Sequence, residues 1–208
     1  MRFWPDWDIF EPEATLDAAA TCDRARLMCH LVPGLRITVT DRRPGAIPPF
    51  DYRATDGLSA LVASAVADRA TVTRVIAVSG EGSFEERVPA GGELTTVRRS
   101  CEVKGALQWT TGHQSEVRSF ASTIPTPAGG THVTGLERAL NRAVNDVLLD
   151  GSKRLDRLDE RAHRDDVQEG LVAARQVVVA DPQFRGQTKQ ELGTPAVQSL
   201  VYDAVKSS

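Results

Sequence analysis

The stretch from Leu171 to Lys206 constrains this chain most. An apolar run, Leu171–Ala180, reads as a strand and breaks at Asp181-Pro182. A helix follows over Pro195–Lys206, with Thr194 as its N-cap and Pro195 at its first position, where the missing N–H removes no hydrogen bond. Between strand and helix lies Gly186-Gln-Thr-Lys189, braced by Pro182 and Phe184 on one side and by Gly193-Thr-Pro195 on the other. A lysine held on such a loop is suited to meet a phosphate as a compact point charge.

The rest of the chain predicts an α+β domain of two layers, with a mixed sheet and helices mainly on one face. Phe3–Phe10 is dense in aromatics and reads as a strand end running into a turn. Thr15–Leu31 has helical apolar spacing and ends at Pro33-Gly34. Leu35–Thr40 alternates with period two, and Asp41–Gly45 is the turn after it. A strand around Phe50–Arg53 and a helix over Gly57–Ala67 come next. Runs with β character occupy Val75–Val78, Phe84–Val88, Leu94–Trp109 and Val117–Ile124, with Gly80-Glu-Gly82 read as a hairpin turn. Thr131 opens an amphipathic helix whose stripe is Val133, Leu136, Leu140, Val144, Val147 and Leu148. Asp150–Arg164 is charged and reads as an exposed connection, and Asp165–Gly170 as a short turn of helix.

Composition narrows the function classes. With 208 residues, 41% of them apolar, the chain can build one good-sized core. No apolar run approaches the roughly 20 residues of a membrane helix, so no membrane partner and a cytoplasmic location are expected. A formal charge of −3 argues against a stand-alone nucleic-acid binder. Cys22 and Cys29 would sit two helical turns apart, roughly 10 Å by helix rise, too far for a disulfide. Reduced, buried thiols are expected there and at Cys101, and no Cys or His spacing suggests a metal.

No complete active site is legible. The four histidines form no H-E-x-x-H pattern, and no G-x-S-x-G, P-loop or dinucleotide fingerprint occurs. Gly129-Gly-Thr-His132, just before the long helix, could hold an anion on free backbone N–H groups. A tight turn with a helix cap is the favoured reading of the same residues.

Asp181–Lys189 resembles the "QTK loop" of the B subunits of bacterial type II DNA topoisomerases (DNA gyrase and topoisomerase IV). Further similarities run in order along the chain: Arg2-Phe-Trp-Pro-Asp6, Val32–Thr38, Ala106-Leu-Gln-Trp109, Ser119-Phe120, Gly129–His132 and Asp165–Leu171. Arg118-Ser-Phe120 with Thr126–Gly135 looks more like topoisomerase IV of actinobacterial type. The sequence departs from the family at Ser122 and Thr123, where two asparagines are common, at Arg185 and Gln168, and at Arg175 and Gln176 in a strand that is commonly apolar.

The resemblance implies a transducer domain with the ribosomal protein S5 domain 2-like fold. It would span 13–208, with 1–12 closing the last strand of an ATPase domain. Lys189 and Gln187 would contact the γ-phosphate of ATP bound by that neighbouring domain, with Thr188 and Gly186 shaping the loop. Gly129, Gly130, Thr131 and His132 are second-tier candidates. Implied partners are the ATPase domain and cleavage core of the same polypeptide, a second copy of it in the full enzyme, the topoisomerase A subunit and DNA held weakly. Mg2+ would serve the full-length enzyme with no site in this chain, which is expected to be an excised piece inactive in isolation. The alternatives are a free-standing gyrase-like interaction or decoy protein, and the transducer of another GHKL ATPase such as the mismatch-repair protein.

Overall fold

The computed structural model describes residues 2, 4–6, 8–11, 14–152 and 161–208. They fall into two compact units, Met1–Thr55 and Asp56–Ser208.

In the first unit, helix α1 (Ala18–Leu31) begins where the Asp17 carboxylate accepts the Ala20 amide at 3.0 Å. It starts later than the sequence periodicity suggests, because Asp17 supplies the cap. It buries Cys22, Ala25, Cys29 and Leu31. Strands β1 (Arg36–Val39) and β2 (Phe50–Arg53) pair antiparallel. The Arg26 guanidinium lies over the Phe50 and Tyr52 rings. The described residues of the aromatic N-terminal stretch form a turn, with the Ile9 and Phe10 amides on the Asp6 carbonyl, rather than the expected strand end. Part of that stretch lies outside the described residues.

In the second unit, α2 (Gly57–Ala65) precedes two long strands, β3 (Ile76–Ala90) and β4 (Glu93–Trp109). These are joined by Gly91 and Gly92, both at positive φ, as a two-residue primed hairpin turn requires. Then come β5 (Glu116–Ala121), β6 (Ile124–Pro125), α3 (Thr131–Ser152), α4 (Arg164–Gln168), β7 (Leu171–Val179), β8 (Phe184–Arg185), β9 (Glu191–Leu192) and α5 (Ala196–Ser207). The main sheet runs β3-β4-β7-β5-β6 and is mixed, β5 being parallel to β7 and the other pairs antiparallel. Leu171, Ala173, Val177 and Val179 of β7 pack with Leu136 and Leu140 of α3 and Val197, Val201 and Ala204 of α5. The intervening Val172 and Ala174 point to the opposite face by strand alternation, toward α2. The α+β architecture with helices mainly on one face is as expected.

Three local readings are corrected. Gly80 and Gly82 lie inside β3, not in a turn. A Cβ on Gly80 would stand 2.5 Å from that of Ala204, and one on Gly82 2.5 Å from Leu200, so the two glycines let α5 press onto the sheet. The run Val117–Ile124 is two strands separated by Ser122-Thr123, with Ser122 at φ +53°. Thr194 does not cap α5 with its side chain, because its hydroxyl accepts the Gln183 amide at 3.0 Å. The charged connection falls partly on 153–160, outside the described residues.

All three cysteines are free and buried, as their spacing suggested. Burial pushes the Cys101 thiol up to about 11, which keeps it protonated and unreactive at neutral pH.

Candidate functional site

Strands β8 and β9 form a small hairpin with Phe184 opposite Leu192 and Arg185 opposite Glu191. Leu192 is fully buried and Phe184 packs on the main core, so the stem is anchored by apolar contact. An Arg185–Glu191 ion pair at 2.7 Å closes the top of the stem. Beyond it, Gly186, Gln187, Thr188, Lys189 and Gln190 are exposed. Gly186 sits at φ +80° with open space where a Cβ would be, and the Lys189 amide reaches back to the Gly186 carbonyl at 3.4 Å. Lys189 itself has φ +56°, a left-handed conformation uncommon for a residue with a side chain. The side chains of Gln187, Thr188 and Lys189 make no ion pair or hydrogen bond among the described residues. The loop therefore gathers all four first-tier candidates and leaves an ammonium and a carboxamide free for an external acceptor.

The second-tier residues behave differently. Gly130 forms a β-bridge with Leu192, and the Leu192 amide donates to the Gly129 carbonyl at 3.0 Å. A Cβ on Gly130 would lie 2.2 Å from the Leu192 carbonyl oxygen. Gly129 and Gly130 thus let the start of α3 meet the backbone of the hairpin stem. The tight turn is present, with the Gly129 amide on the Thr126 carbonyl at 2.8 Å. The buried Thr131 hydroxyl, however, has no hydrogen-bond partner among the described residues and so does not cap the helix. His132 is fully buried, with Nε2 3.1 Å from the Thr126 hydroxyl and no partner for Nδ1 among the described residues. Burial, and secondarily the Arg175 charge, pushes its pKa down to about 3, so it is neutral at physiological pH. Arg175 is also buried, which lowers its guanidinium to about 10, still charged at neutral pH. Neither buried side chain meets solvent as a phosphate ligand would need to.

A cluster that sequence reasoning missed lies at the foot of the hairpin. Arg99 on β4 donates to Glu86 on β3 and to Asp181 after β7, both at 3.1 Å, and Gln183 donates to the same Glu86. Glu86, Arg99 and the Asp181–Gln183 segment are separated in the chain, and the pairing of β3, β4 and β7 brings them together.

Among solved structures, the fold matches the 43K ATPase domain of Thermus thermophilus gyrase B, with a TM-score of 0.71, 25% identity, 98% of this chain covered and 50% of that one. It also matches the structure of the DNA gyrase B-subunit from Myxococcus xanthus, with a TM-score of 0.72, 24% identity, and 98% and 52% covered. Among curated proteins, the gyrase B polypeptide of Enterococcus faecalis is 32% identical over 96% of this chain and 29% of its own length. Its counterpart from Mycobacterium leprae is 33% identical, over 97% and 32% respectively. The fold, with its S5 domain 2-like mixed sheet, and the ordered motifs define a domain of the B polypeptide of a type II topoisomerase. The sequence model of DNA gyrase B matches residues 57–208, and the chain belongs to that family. It spans about a third of the length of these curated relatives. The finer preference for topoisomerase IV gains nothing from them, since both are gyrases.

Proposed function

We propose that this chain is the transducer domain of an ATP-dependent type II topoisomerase, and that its Gly186–Lys189 loop senses the γ-phosphate of ATP held by a neighbouring ATPase domain. The observation that carries this reading is Lys189: exposed, without a charge partner among the described residues, and held at φ +56°. Unusual backbone conformations persist where the surroundings fix them, and they cluster at ligand clamps.

In this reading the Lys189 ammonium offsets phosphate charge and the Gln187 amide donates a hydrogen bond to the same group. Gly186 gives the turn its conformation and Thr188 spaces the two side chains. Phosphoryl transfer gains chiefly from such positioned charge. The contact exists only while the third phosphate is attached, so the loop distinguishes triphosphate from diphosphate. Because Leu192 fixes the stem in the core, the domain follows the loop as a body and couples nucleotide state to DNA strand passage.

The same reading assigns residues 1–12 to the end of the ATPase domain and 13–208 to the transducer. It makes the chain inactive alone and places it in the cytoplasm. Its partners are the ATPase domain and cleavage core, a second copy of the same polypeptide, the topoisomerase A subunit and the transported DNA. Mg2+ accompanies the nucleotide on residues elsewhere in the full-length protein. In that full-length protein, Lys189→Ala should lower ATP turnover at least about tenfold while leaving the melting temperature of the isolated chain nearly unchanged. Unaltered turnover overturns the proposal.

A further inference from the structure

The foot of the hairpin is held by a polar clamp. β7 stops pairing with β4 at Val179, opposite Cys101, and the chain then turns through Asp181 at φ +57°. Arg99, two residues before Cys101 on β4, bridges this turn to the neighbouring strand. Its Nε donates to a Glu86 carboxylate oxygen, and its terminal nitrogen donates to Asp181 Oδ2. The other Glu86 oxygen accepts the Gln183 side-chain amide. Gln183 is held on its other side as well, with its backbone amide on the Thr194 hydroxyl at 3.0 Å and its carbonyl accepting the Gly193 amide at 2.8 Å. The Arg99 and Glu86 side chains are 19% and 12% exposed, so solvent screens their pairing less than that of a surface pair.

We propose that Arg99 is a positioning residue for the Gly186–Lys189 loop. It fixes the left-handed turn at Asp181 directly and the strand entry at Gln183 through Glu86, and so sets where Lys189 projects. This rests on the phosphate-sensing reading of that loop. A guanidinium can serve two carboxylates at once through its planar fork, whereas a lysine presents one compact charge. Placement matters because a misplacement of about 1 Å can lower a rate on the order of a hundredfold.

The test measures ATP turnover of the full-length protein carrying Arg99→Met, Arg99→Lys, Asp181→Asn, Lys189→Ala, or Arg99→Met with Lys189→Ala. Amide hydrogen exchange is followed on the 208-residue chain. Arg99→Met and Asp181→Asn should each lower kcat about three- to tenfold, Arg99→Lys should not restore it, and Arg99→Met should lower it no further once Lys189 is alanine. The hydrogen-bonded amides of Gln183, Lys189 and Gly193 should exchange faster while those of β4 and β7 keep their protection. Equal losses from Arg99→Met in both backgrounds would show a general structural role and overturn the clamp. So would unchanged turnover in Arg99→Met beside a damaged Lys189→Ala enzyme. If Lys189→Ala alone has no effect, the phosphate-sensing reading fails. The exchange result then decides the clamp: amides of Gln183, Lys189 and Gly193 that exchange no faster than in the native chain refute it. Should Arg99→Met not fold, Asp181→Asn decides it, because that side chain is 78% exposed and asparagine tolerates the same φ.

Discussion

Gly129–His132 and Gly186–Lys189 are both short glycine-bearing segments near the start of a helix, and on sequence either could greet an anion. The structure separates them by where their polar groups point. In the first, the glycines meet the Leu192 backbone and the histidine is sealed beside Thr126. In the second, the stem is equally well anchored, but the side chains beyond it find nothing within the described residues to bind. A candidate site is thus recognised less by its motif than by donors left without an internal acceptor.

Breaking the first segment should hurt stability most. Gly130→Ala forces a Cβ onto the Leu192 carbonyl at φ +127°, and the combined clash and backbone strain should cost at least about 3 kcal/mol. Urea unfolding measures this, and a loss below about 1 kcal/mol would mean that the junction is loosely packed. The buried histidine gives the next effect. With its folded pKa below the unfolded value near 6.5, the unfolded chain binds the extra proton, so His132 favours folding above pH 6.5 and loses that contribution as pH falls toward 3. From pH 6.5 to 5 this amounts to roughly 2 kcal/mol. His132→Gln should flatten the wild-type slope by that amount, and parallel slopes would refute the assignment.

Gly186→Ala sharpens the contrast, since no atom lies near its missing Cβ. Only the left-handed φ opposes the substitution, at about 1–2 kcal/mol, read as a modest drop in urea midpoint. A cost matching that of Gly130→Ala would erase the distinction between the two segments. The smallest effect should come from Ser122→Asn. Asparagine tolerates φ +53° better than serine, so stability should rise by roughly half a kcal/mol, seen as a small upward shift in Tm.

Periodicity revealed most of the helices and strands, because a buried stripe or an alternating face is written locally. It failed where a distant partner decides. Gly80 and Gly82 looked like turn residues because what they accommodate, Ala204 and Leu200, arrives more than 100 positions later. Thr194 had the makings of a helix cap, yet Gln183 claims its hydroxyl. Val147 fits the helical stripe of α3 but is 72% exposed, the stripe reaching past the part of the helix that the core covers. Ser122 shows the converse: it must adopt a left-handed backbone that nothing in the local pattern announces. The loop stood out by its bracing residues and its lysine, and the role proposed for it came from family likeness. The Arg99 clamp had no signal in spacing at all.

The two bare positions on β3 carry one more consequence. With no side chains there, the last helix rests in a notch and not on a smooth surface, and the same helix follows directly from the hairpin that bears Lys189. Close packing at Ala204 and Leu200 opposes any rolling or sliding of that helix over the sheet, so the position of its axis is set by two missing side chains.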